Sequence, residues 1–375
     1  MVSKINLLKC SSLNSHKNNY YEKRDWFLNT LKKEFQLQLY TKVVEKDLIK
    51  NSNKLDDSIK VVDFFENTSF THLLTNYFYY KKKFSSSEFK KHPNLVLYPM
   101  GYTGILLGLM LRKTKLVIWV KSDPTDHNLK RYKWNDYRKY LYFFLKPFFT
   151  FSYRLIARHI FKHALVFYTA NATISPKNHI NQHEIISNST YNKDMSLIKK
   201  RFSNKVFFVG SENRQKGLAL LLKAMQNSKK ELNIIGIERL TDKEHIRLAK
   251  KVKLNIHGKI YDRKKYYDLL SQADLAIMPS YGEKQGKIQL EAMSVGAVPI
   301  CSDSGGTYQT INNYYNGLLF KDGHWKQLKQ KIDLLYKNKA LYHDLQKNGL
   351  EYIKTQSVEK QVEKMAKIIK NYYFS

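Results

Sequence analysis

The feature that most constrains this chain is an alternation of short apolar runs with helix-like segments, which occurs twice along its length. Short apolar runs bounded by turn residues predict buried strands, and strands that alternate with helices predict parallel sheets covered by helices. The strands predicted in the first half are Ile5–Lys9, Gln36–Tyr40, Lys60–Phe64, Leu95–Tyr98, Leu116–Val120, Leu165–Thr169 and Glu184–Ile186.

The alternation restarts after a basic connector at residues 192–204. A chain of 375 residues exceeds the usual size of one hydrophobic core. We therefore predict an α/β fold of two Rossmann-like domains, residues 1–195 and 203–355, which face each other across an interdomain cleft. The last predicted helix, Val358–Tyr373 within residues 358–375, is expected to pack back on the first domain. The strands predicted in the second domain are Val206–Val209, Leu232–Ile235, Leu254–His257, Leu275–Met278 and Val298–Cys301.

Composition and hydropathy exclude several classes of protein. Cys10 and Cys301 are too few for a disulfide framework, which favours a reducing, cytoplasmic location. The opening residues lack a secretory signal, and no run reaches the roughly 18–20 apolar residues of a membrane-spanning helix. The nearest candidate, Leu95–Leu111, is interrupted by Pro99 and three glycines and predicts a strand, a turn and a buried helix.

The net charge of +33 favours a polyanionic partner or a phosphorylated substrate, although lysines spread over solvated helices would also account for most of it. The segment Leu129–His163 interleaves lysine and arginine with many aromatic residues. It indicates peripheral contact with the anionic inner face of a membrane, two core helices separated by Pro147, or nucleic-acid binding. The first two can hold together, and nucleic acid is the least expected.

The most informative stretch for chemistry is Ala273–Gly306, where a buried strand, a polar loop, a helix and a second strand follow one another. Glu283 lies in the loop, and Glu291 lies eight positions later in the helix. If the helix begins near Gly286, both carboxylates can face one crevice, beside free N–H groups of Gln285, Gly286 and Lys287. Carboxylates accept hydrogen bonds from sugar hydroxyls, and helix amino ends bind phosphate. A paired-glutamate hydrolase and a surface helix with two solvated glutamates are the alternatives.

This stretch resembles the retaining GT-B glycosyltransferases of the glycosyl transferases group 1 kind, similar to family 4, whose hallmark is two glutamates eight positions apart. The residues that carry the resemblance are GEKQGKIQLEAMSVGAVPI (282–300), VGSENRQKGLALLLKA (209–224) and SDSGGTYQ (302–309). Lys216-Gly217 match the family's lysine-glycine pair. Ser211 stands where the family has arginine, and Arg214 is the candidate substitute.

The resemblance implies a role for each matching residue. Glu283 would bind donor-sugar hydroxyls, and Glu291 would hold the ribose hydroxyls. Lys216 would neutralise the departing β-phosphate, and backbone near Ile260 would contact the base. The residues that would bind the nucleotide sugar are Glu291, Gln285, Gly286, Lys287, Arg214, Gly210 and Ile260.

No Asp-x-Asp triplet occurs in the sequence, and Asp123 and Asp126 have the wrong spacing for one. We therefore expect no metal ion and no cofactor besides the donor, for which a UDP-sugar is favoured, with lysine, arginine and the helix dipole carrying the neutralisation. In the first domain, Asp123 and His127 follow a predicted strand. The resemblance implies that an acidic residue or a histidine near this place contacts the acceptor or donor sugar, and Asp123 and then His127 are the candidates.

The resemblance implies a retaining transferase that moves a sugar from a nucleoside diphosphate to a glycan or lipid-linked acceptor, in cell-surface polysaccharide synthesis such as that of capsule or lipopolysaccharide. Alternatives are a sugar-nucleotide epimerase or phosphorylase of similar fold, a basic nucleic-acid-binding protein, and a catalytically silent partner subunit.

Overall fold

The structure of the protein is a computed structural model that describes residues 3–9, 13–16, 19–22, 25–45, 53–67, 69–97, 102–120, 137–168, 182–184, 202–281, 286–304 and 307–374. Contacts divide the chain into two units. The first holds the described residues up to 184 together with 358–374, and the second holds 202–357. The predicted domain boundary at 195–203 lies mostly outside the described residues and stays a prediction.

Short strands and helices follow one another along both units. The strands are β1 (Lys4–Lys9), β2 (Leu13–His16), β3 (Asn19–Glu22), β4 (Gln36–Thr41), β5 (Val43–Glu45), β6 (Asn53–Lys54), β7 (Lys60–Asp63), β8 (Asn94–Leu97), β9 (Leu116–Val120), β10 (Ala164–Tyr168), β11 (Gln182–Glu184), β12 (Lys205–Val209), β13 (Glu231–Ile235), β14 (Lys253–Ile256), β15 (Leu275–Met278), β16 (Val298–Ser302) and β17 (Leu318–Phe320). The helices are α1 (Asp25–Leu31), α2 (Phe70–Thr75), α3 (Tyr77–Lys83), α4 (Ser87–Lys91), α5 (Tyr102–Leu111), α6 (Tyr137–Phe161), α7 (Leu218–Met225), α8 (Lys243–Ala249), α9 (Arg263–Leu270), α10 (Ile288–Ser294), α11 (Trp325–Lys337), α12 (Lys339–Thr355) and α13 (Val358–Tyr373).

The main sheet of the first unit has, in the described residues, seven parallel strands in the order β11-β10-β9-β8-β1-β4-β7. Its inner strands β1, β4, β8 and β9 are largely buried on both faces, which explains their apolar runs. In β9, Leu116 and Ile118 face a cluster that contains residues of α2–α6, while Val117 and Trp119 face one formed with α1 and α13. The alternation follows from the two-residue period of a strand.

The last helix, α13, belongs to the first unit, although it follows the second in sequence. Its apolar side packs on α1 and the sheet through Val362, Met365 and Ile369. The Tyr373 hydroxyl donates to the carbonyl of Leu116 at 2.7 Å, which fixes the end of the helix against β9. The first unit is therefore built from two parts of the chain, one before and one after the second unit in sequence.

A second, smaller sheet in the order β5-β2-β3-β6 lies beside the carboxyl ends of the main strands, because β2 follows β1 and β5 follows β4 directly in sequence. It contains a β2–β3 hairpin and mixes parallel and antiparallel pairs. The sequence analysis did not predict this sheet.

The prediction that Pro147 separates two helices is wrong. The described backbone runs as one helix, α6, with Pro147 inside it. Proline lacks the N–H that would bond the carbonyl four residues earlier, at a cost of about 3 kcal/mol. Pro147 is exposed, so water can hydrate that carbonyl. The later residues Tyr153, Ala157 and Ile160 are buried in the cluster beside the sheet, and this packing stabilises the second half of the helix.

The second unit has, as far as it is described, a six-stranded parallel sheet in the order β14-β13-β12-β15-β16-β17. Alternate side chains of these strands pack on α7, α11 and α12. The predicted α/β class with two Rossmann-like units is confirmed. Among the described residues, we find no helix whose length and hydropathy would let it cross a bilayer.

Candidate functional site

The loops that follow the strands of the second sheet meet at one edge, because all its strands are parallel. Seven of the predicted site residues, six for donor binding and the catalytic candidate Lys216, lie in the described parts of these loops and of the helix after β15. They are Gly210, Arg214 and Lys216 after β12, Ile260 after β14, and Gly286, Lys287 and Glu291 after β15. The structure thus brings these residues to the carboxyl edge of one sheet, and their individual roles stay predictions.

Three glycines follow neighbouring strands at this edge and keep it free of side chains. Gly236 has φ 110°, and a Cβ there would lie 2.8 Å from the carbonyl oxygen of Gly210. The N–H of Gly236 donates to the carbonyl of Gly258 at 2.8 Å. Gly236 and Gly258, which has φ 71°, adopt backbone conformations that favour glycine, and at Gly236 the added Cβ would also meet backbone. The absence of side chains at these two positions and at Gly210 leaves room for a ligand above the strand ends.

The turn after β12 carries the two predicted cations, Arg214 and Lys216, on one turn of 3-10 helix. The side chain of Asn213 caps this turn by accepting the N–H of Lys216 at 3.1 Å. The N–H of Tyr281, at the end of β15, donates to the carbonyl of Gln215 at 2.7 Å. The cations are therefore held on a short turn whose backbone is bonded to the neighbouring strand end.

The carboxylate of Glu212 ties this turn to the next loop along the sheet. One oxygen accepts from the N–H and hydroxyl of Thr241 at 2.8 and 2.6 Å. The other accepts from the N–H of Asp242 at 3.1 Å and lies 2.9 Å from Nδ1 of His245. Burial raises the pKa of the Glu212 carboxyl, but the hydrogen bonds from Thr241, His245 and Asp242 outweigh it and lower the pKa to about 2.

We expect the Glu212 contacts to make stability depend on acid. A carboxyl whose pKa is lowered by folding stabilises the fold above its ordinary pKa of 4.5, and this contribution disappears as the pH falls towards about 2. Glu212→Gln should reduce the free energy of unfolding by about 3 kcal/mol at pH 7 and flatten its decline below pH 4.5. Urea unfolding from pH 7 to 2.5 measures this, with the exposed Glu351→Gln as control. A decline as steep as in the wild type would contradict it.

Glu291 lies in the first turn of α10 and is held by a tyrosine from α9. The phenol of Tyr266 donates to Oε2 of Glu291 at 2.7 Å. Burial, and then the charge of Glu291, raise the pKa of Tyr266 well above its usual value, so the phenol keeps its proton. Tyr266 therefore fixes the carboxylate that the resemblance assigns to the ribose hydroxyls.

Removing the Tyr266 hydroxyl should weaken donor binding without unfolding the protein. Tyr266→Phe keeps the ring, and the lost hydrogen bond to a charged group is worth about 1.5–3 kcal/mol, or roughly 10- to 100-fold in affinity if it acts wholly on the bound state. We expect a nucleotide-diphosphate Kd about tenfold higher by calorimetry, since water can replace part of the contact. Tyr261→Phe, on an exposed ring, is the control. An unchanged Kd would show that Tyr266 does not position Glu291 for binding.

Gly286 and the buried Gln289 secure the start of α10, whose first residue is Ile288 rather than Gly286. A Cβ at Gly286 would lie 2.0 Å from Oε1 of Gln289, so any other residue at position 286 would displace the Gln289 side chain. Nε2 of Gln289 donates to Oγ1 of Thr310 at 2.7 Å, which links α10 to the loop after β16.

Four predicted site residues lie outside the described residues. They are Glu283 and Gln285, in the loop after β15, and Asp123 and His127, after β9. The predicted convergence of Glu283 with Glu291 therefore stays a prediction. Within the described ranges, no group of three or more His, Cys, Asp or Glu side chains could hold a metal ion.

Sequence reasoning missed Glu212, Tyr266, Gln289, Gly236 and Gly258. The glycines had a signal, because each directly follows a predicted strand, as Gly210 does. Tyr266 and Glu212 had none, since their partners lie 25 and 33 residues away in sequence.

Comparison with known families finds one match within the second half of the chain. Residues 193–352 match the family described as "Glycosyl transferases group 1". This range contains every candidate residue of the second sheet's edge.

Curated relatives match less than half of the chain. An uncharacterized glycosyltransferase of Methanocaldococcus jannaschii is 30% identical over 165 residues, which are 43% of this chain and 46% of that protein. The N,N'-diacetylbacillosaminyl-diphospho-undecaprenol alpha-1,3-N-acetylgalactosaminyltransferase of Campylobacter jejuni is 32% identical over 108 residues, 28% of this chain and 29% of that protein. The chain thus matches less than half the length of these relatives.

Solved structures resemble the chain over nearly its whole length. Sucrose-phosphate synthase of Thermosynechococcus elongatus has a TM-score of 0.65 at 16% identity and covers 99% of both chains. HepE of Anabaena in complex with UDP has a TM-score of 0.64 at 14% identity, over 98% of this chain and 100% of that one. At such low identity these likenesses show the fold alone.

Proposed function

We propose that the protein belongs to the glycosyl transferases group 1 family, whose model matches residues 193–352, and that it transfers a sugar from a nucleoside diphosphate to an acceptor. The fold that the chain shares with solved GT-B structures supports the proposal. The observation that carries the proposal is the carboxyl edge of the second sheet. Within the matched range, it combines a cationic turn, a glycine-lined floor and a carboxylate fixed by a buried phenol.

The donor is a nucleotide sugar bound along this edge. Glu291 accepts hydrogen bonds from the ribose hydroxyls, and Arg214 and Lys216 neutralise the diphosphate. Backbone around Ile260 contacts the base, and Glu283 binds the donor sugar. Uridine is the proposed base, supported by HepE of Anabaena, which has the same fold and was solved with UDP and with UDP-glucose.

The chemistry is retaining transfer without a metal ion. Negative charge grows on the diphosphate as its bond to the sugar breaks, and a cation at that point stabilises the transition state more than the ground state. Lys216 is the residue proposed for this role, and its place on the turn after β12 supports the choice. Asp123 and His127 of the first domain are proposed to contact the sugar or the acceptor.

The acceptor is a glycan or a lipid-linked glycan, and the pathway makes a cell-surface polysaccharide. The Campylobacter relative supports the choice, since its name states an undecaprenol-linked acceptor. The proposed location is the inner face of the membrane, where the charge of +33 favours anionic headgroups.

The proposal is tested by thermal unfolding of the full chain with UDP-, GDP- or ADP-sugars in the presence of EDTA. A ligand at 100 times its Kd stabilises the folded state by about 2.7 kcal/mol. We expect one nucleotide class to raise Tm by a few degrees, and Glu291→Ala to abolish the rise. The exposed Glu351→Ala should keep it.

The outcomes separate the rival functions. Sugar transfer that requires an added acceptor supports a transferase, whereas turnover of the donor to an isomer without acceptor supports an epimerase. A folded protein that responds to none of the three nucleotide classes would overturn the proposal.

A further inference from the structure

One helical face of the first unit exposes many apolar side chains, although its helices also cover the main sheet. Their inner sides bury Leu73 of α2, Tyr80 of α3 and Tyr153 of α6 in one cluster. Their outer sides carry eight exposed apolar or aromatic residues. These are Phe70, Leu74, Phe78 and Tyr79 on α2 and α3, and Phe148, Phe151, Leu155 and Ile156 on α6.

The exposed residues of α6 form a stripe at helical spacing. Phe148, Phe151 and Leu155 are separated by three and four positions, so they lie on one side of the helix, and they are 68%, 68% and 60% exposed. The side that meets the sheet carries Ala157 and Ile160, both fully buried. The helix therefore exposes an apolar stripe in addition to the apolar side that packs on the sheet.

Charge on this face is mostly positive. The acids that border it are Glu66, which lies 3.8 Å from His72 of α2, and Glu88 of α4, which pairs with Lys4. Residues 137–163 contain no Asp or Glu, and neither do 67–87 or 89–122. Exposed cations stand next to the stripe, among them Arg154, Arg158 and Lys162. The opposite face differs, because α1 and α13 carry acids of their own and Glu34 pairs with Lys370 at 2.7 Å.

We propose that this basic apolar face, formed by Phe78, Phe148, Phe151 and Leu155 with Arg154 and Arg158, docks on an anionic lipid bilayer. Apolar side chains enter the boundary between headgroups and acyl chains, while neighbouring cations bind anionic headgroups. This deepens the proposed membrane location and rests on the proposed function only for its purpose, access to a lipid-linked acceptor.

Charge complementarity selects the bilayer over other occupants. A second copy of the chain would bring its own Arg154 and Arg158 against the same cations. This is unfavourable because residues 137–163 contain no acid that could offset the repulsion. Nucleic acid would satisfy the cations and stack on the phenylalanines, but it offers no hydrocarbon for Leu155 and Ile156.

The test is flotation of the full chain with phosphatidylcholine vesicles, with and without phosphatidylglycerol. We expect binding to the anionic vesicles, reduced by salt, and little binding to the neutral ones. Phe151→Ser with Leu155→Ser should lower the partition coefficient at least tenfold, and Arg154→Glu with Arg158→Glu should abolish binding. The matched control, Ile246→Ser with Tyr261→Ser, alters two exposed residues of the second unit and should bind as the wild type does.

Each contrary outcome has its own reading. Equal flotation of the wild type and both face variants would contradict the docking surface. A wild-type dimer that the variants convert to monomer would show that the face binds a second copy of the chain instead. Variants that lose binding to duplex DNA but still float with vesicles would show that it binds nucleic acid. The stabilisation by nucleotide sugar, measured on the same samples, should be the same in wild type and face variants. It reports folding and the proposed function independently of docking.

Discussion

Replacing Lys216 by methionine is expected to lower kcat by about 10²–10³, the largest effect of any single substitution in this site. Removing one group that stabilises developing negative charge typically costs this much. A Cβ at Gly210 would lie 3.4 Å from Cγ of Lys216, so the stem of the lysine runs beside Gly210. Methionine keeps that stem and removes only the ammonium group.

The expected signature is a loss in kcat that exceeds the change in donor KM, since the cation acts mainly when the diphosphate leaves. Donor turnover is measured with the acceptor that proves active, alongside Lys251→Met. Lys251 lies just before β14, at the opposite edge of the same sheet, and is exposed. Equal kcat in wild type and Lys216→Met would contradict the proposed role of Lys216 in neutralising the leaving diphosphate.

Local pattern predicted those elements of the fold that one stretch of sequence determines. The strands β9 and β15 have the bounds predicted from their apolar runs, and α13 was predicted residue for residue. The small sheet was not predicted because its strands are only two to four residues long. Apart from the β2–β3 hairpin, its pairs join strands that are distant in sequence. The continuity of α6 was not predicted either. The packing of its second half onto the sheet outweighs the tendency of Pro147 to break the helix.

The candidate site divides in the same way. Lys216 and Glu291 stand in recognisable local contexts, at a turn after a strand and in the first turn of a helix. The groups that hold them are remote in sequence, namely Tyr266 for Glu291 and Tyr281 for the turn of Lys216. Such pairs depend on how α9 packs on α10, or on which strands are neighbours, and a single sequence does not specify either.

The turn that carries Lys216 depends on Gly217 more than on any hydrogen bond, and Gly217→Ala should be the most destabilising substitution in the site. Gly217 has φ 68°, where an L residue costs about 1–2 kcal/mol. A Cβ there would also lie 1.9 Å from the carbonyl oxygen of Pro279 and 2.8 Å from its carbon. Both are backbone atoms, which cannot rotate away as a flexible side chain can.

Gly323→Ala separates the two causes. Gly323 has φ 82°, but its nearest contact, Cε1 of Tyr281, would lie at 3.8 Å, so this variant has only the conformational cost. We expect about 1–2 kcal/mol for Gly323→Ala and at least twice that for Gly217→Ala, measured by urea unfolding of the full chain. Equal losses in the free energy of unfolding would mean that the backbone at Pro279 moves away from the added Cβ without any cost in stability.

Relief of the clash would have to move Pro279 away from the turn, and the backbone bond from Tyr281 to Gln215 would stretch with it. Gly217→Ala should therefore lose catalysis even where the protein stays folded, because the same movement displaces Lys216 from the departing phosphate. Gly323→Ala leaves that bond in place and should keep most of its kcat at a temperature well below its Tm. Stability and turnover are thus coupled at Gly217 because one backbone contact serves both.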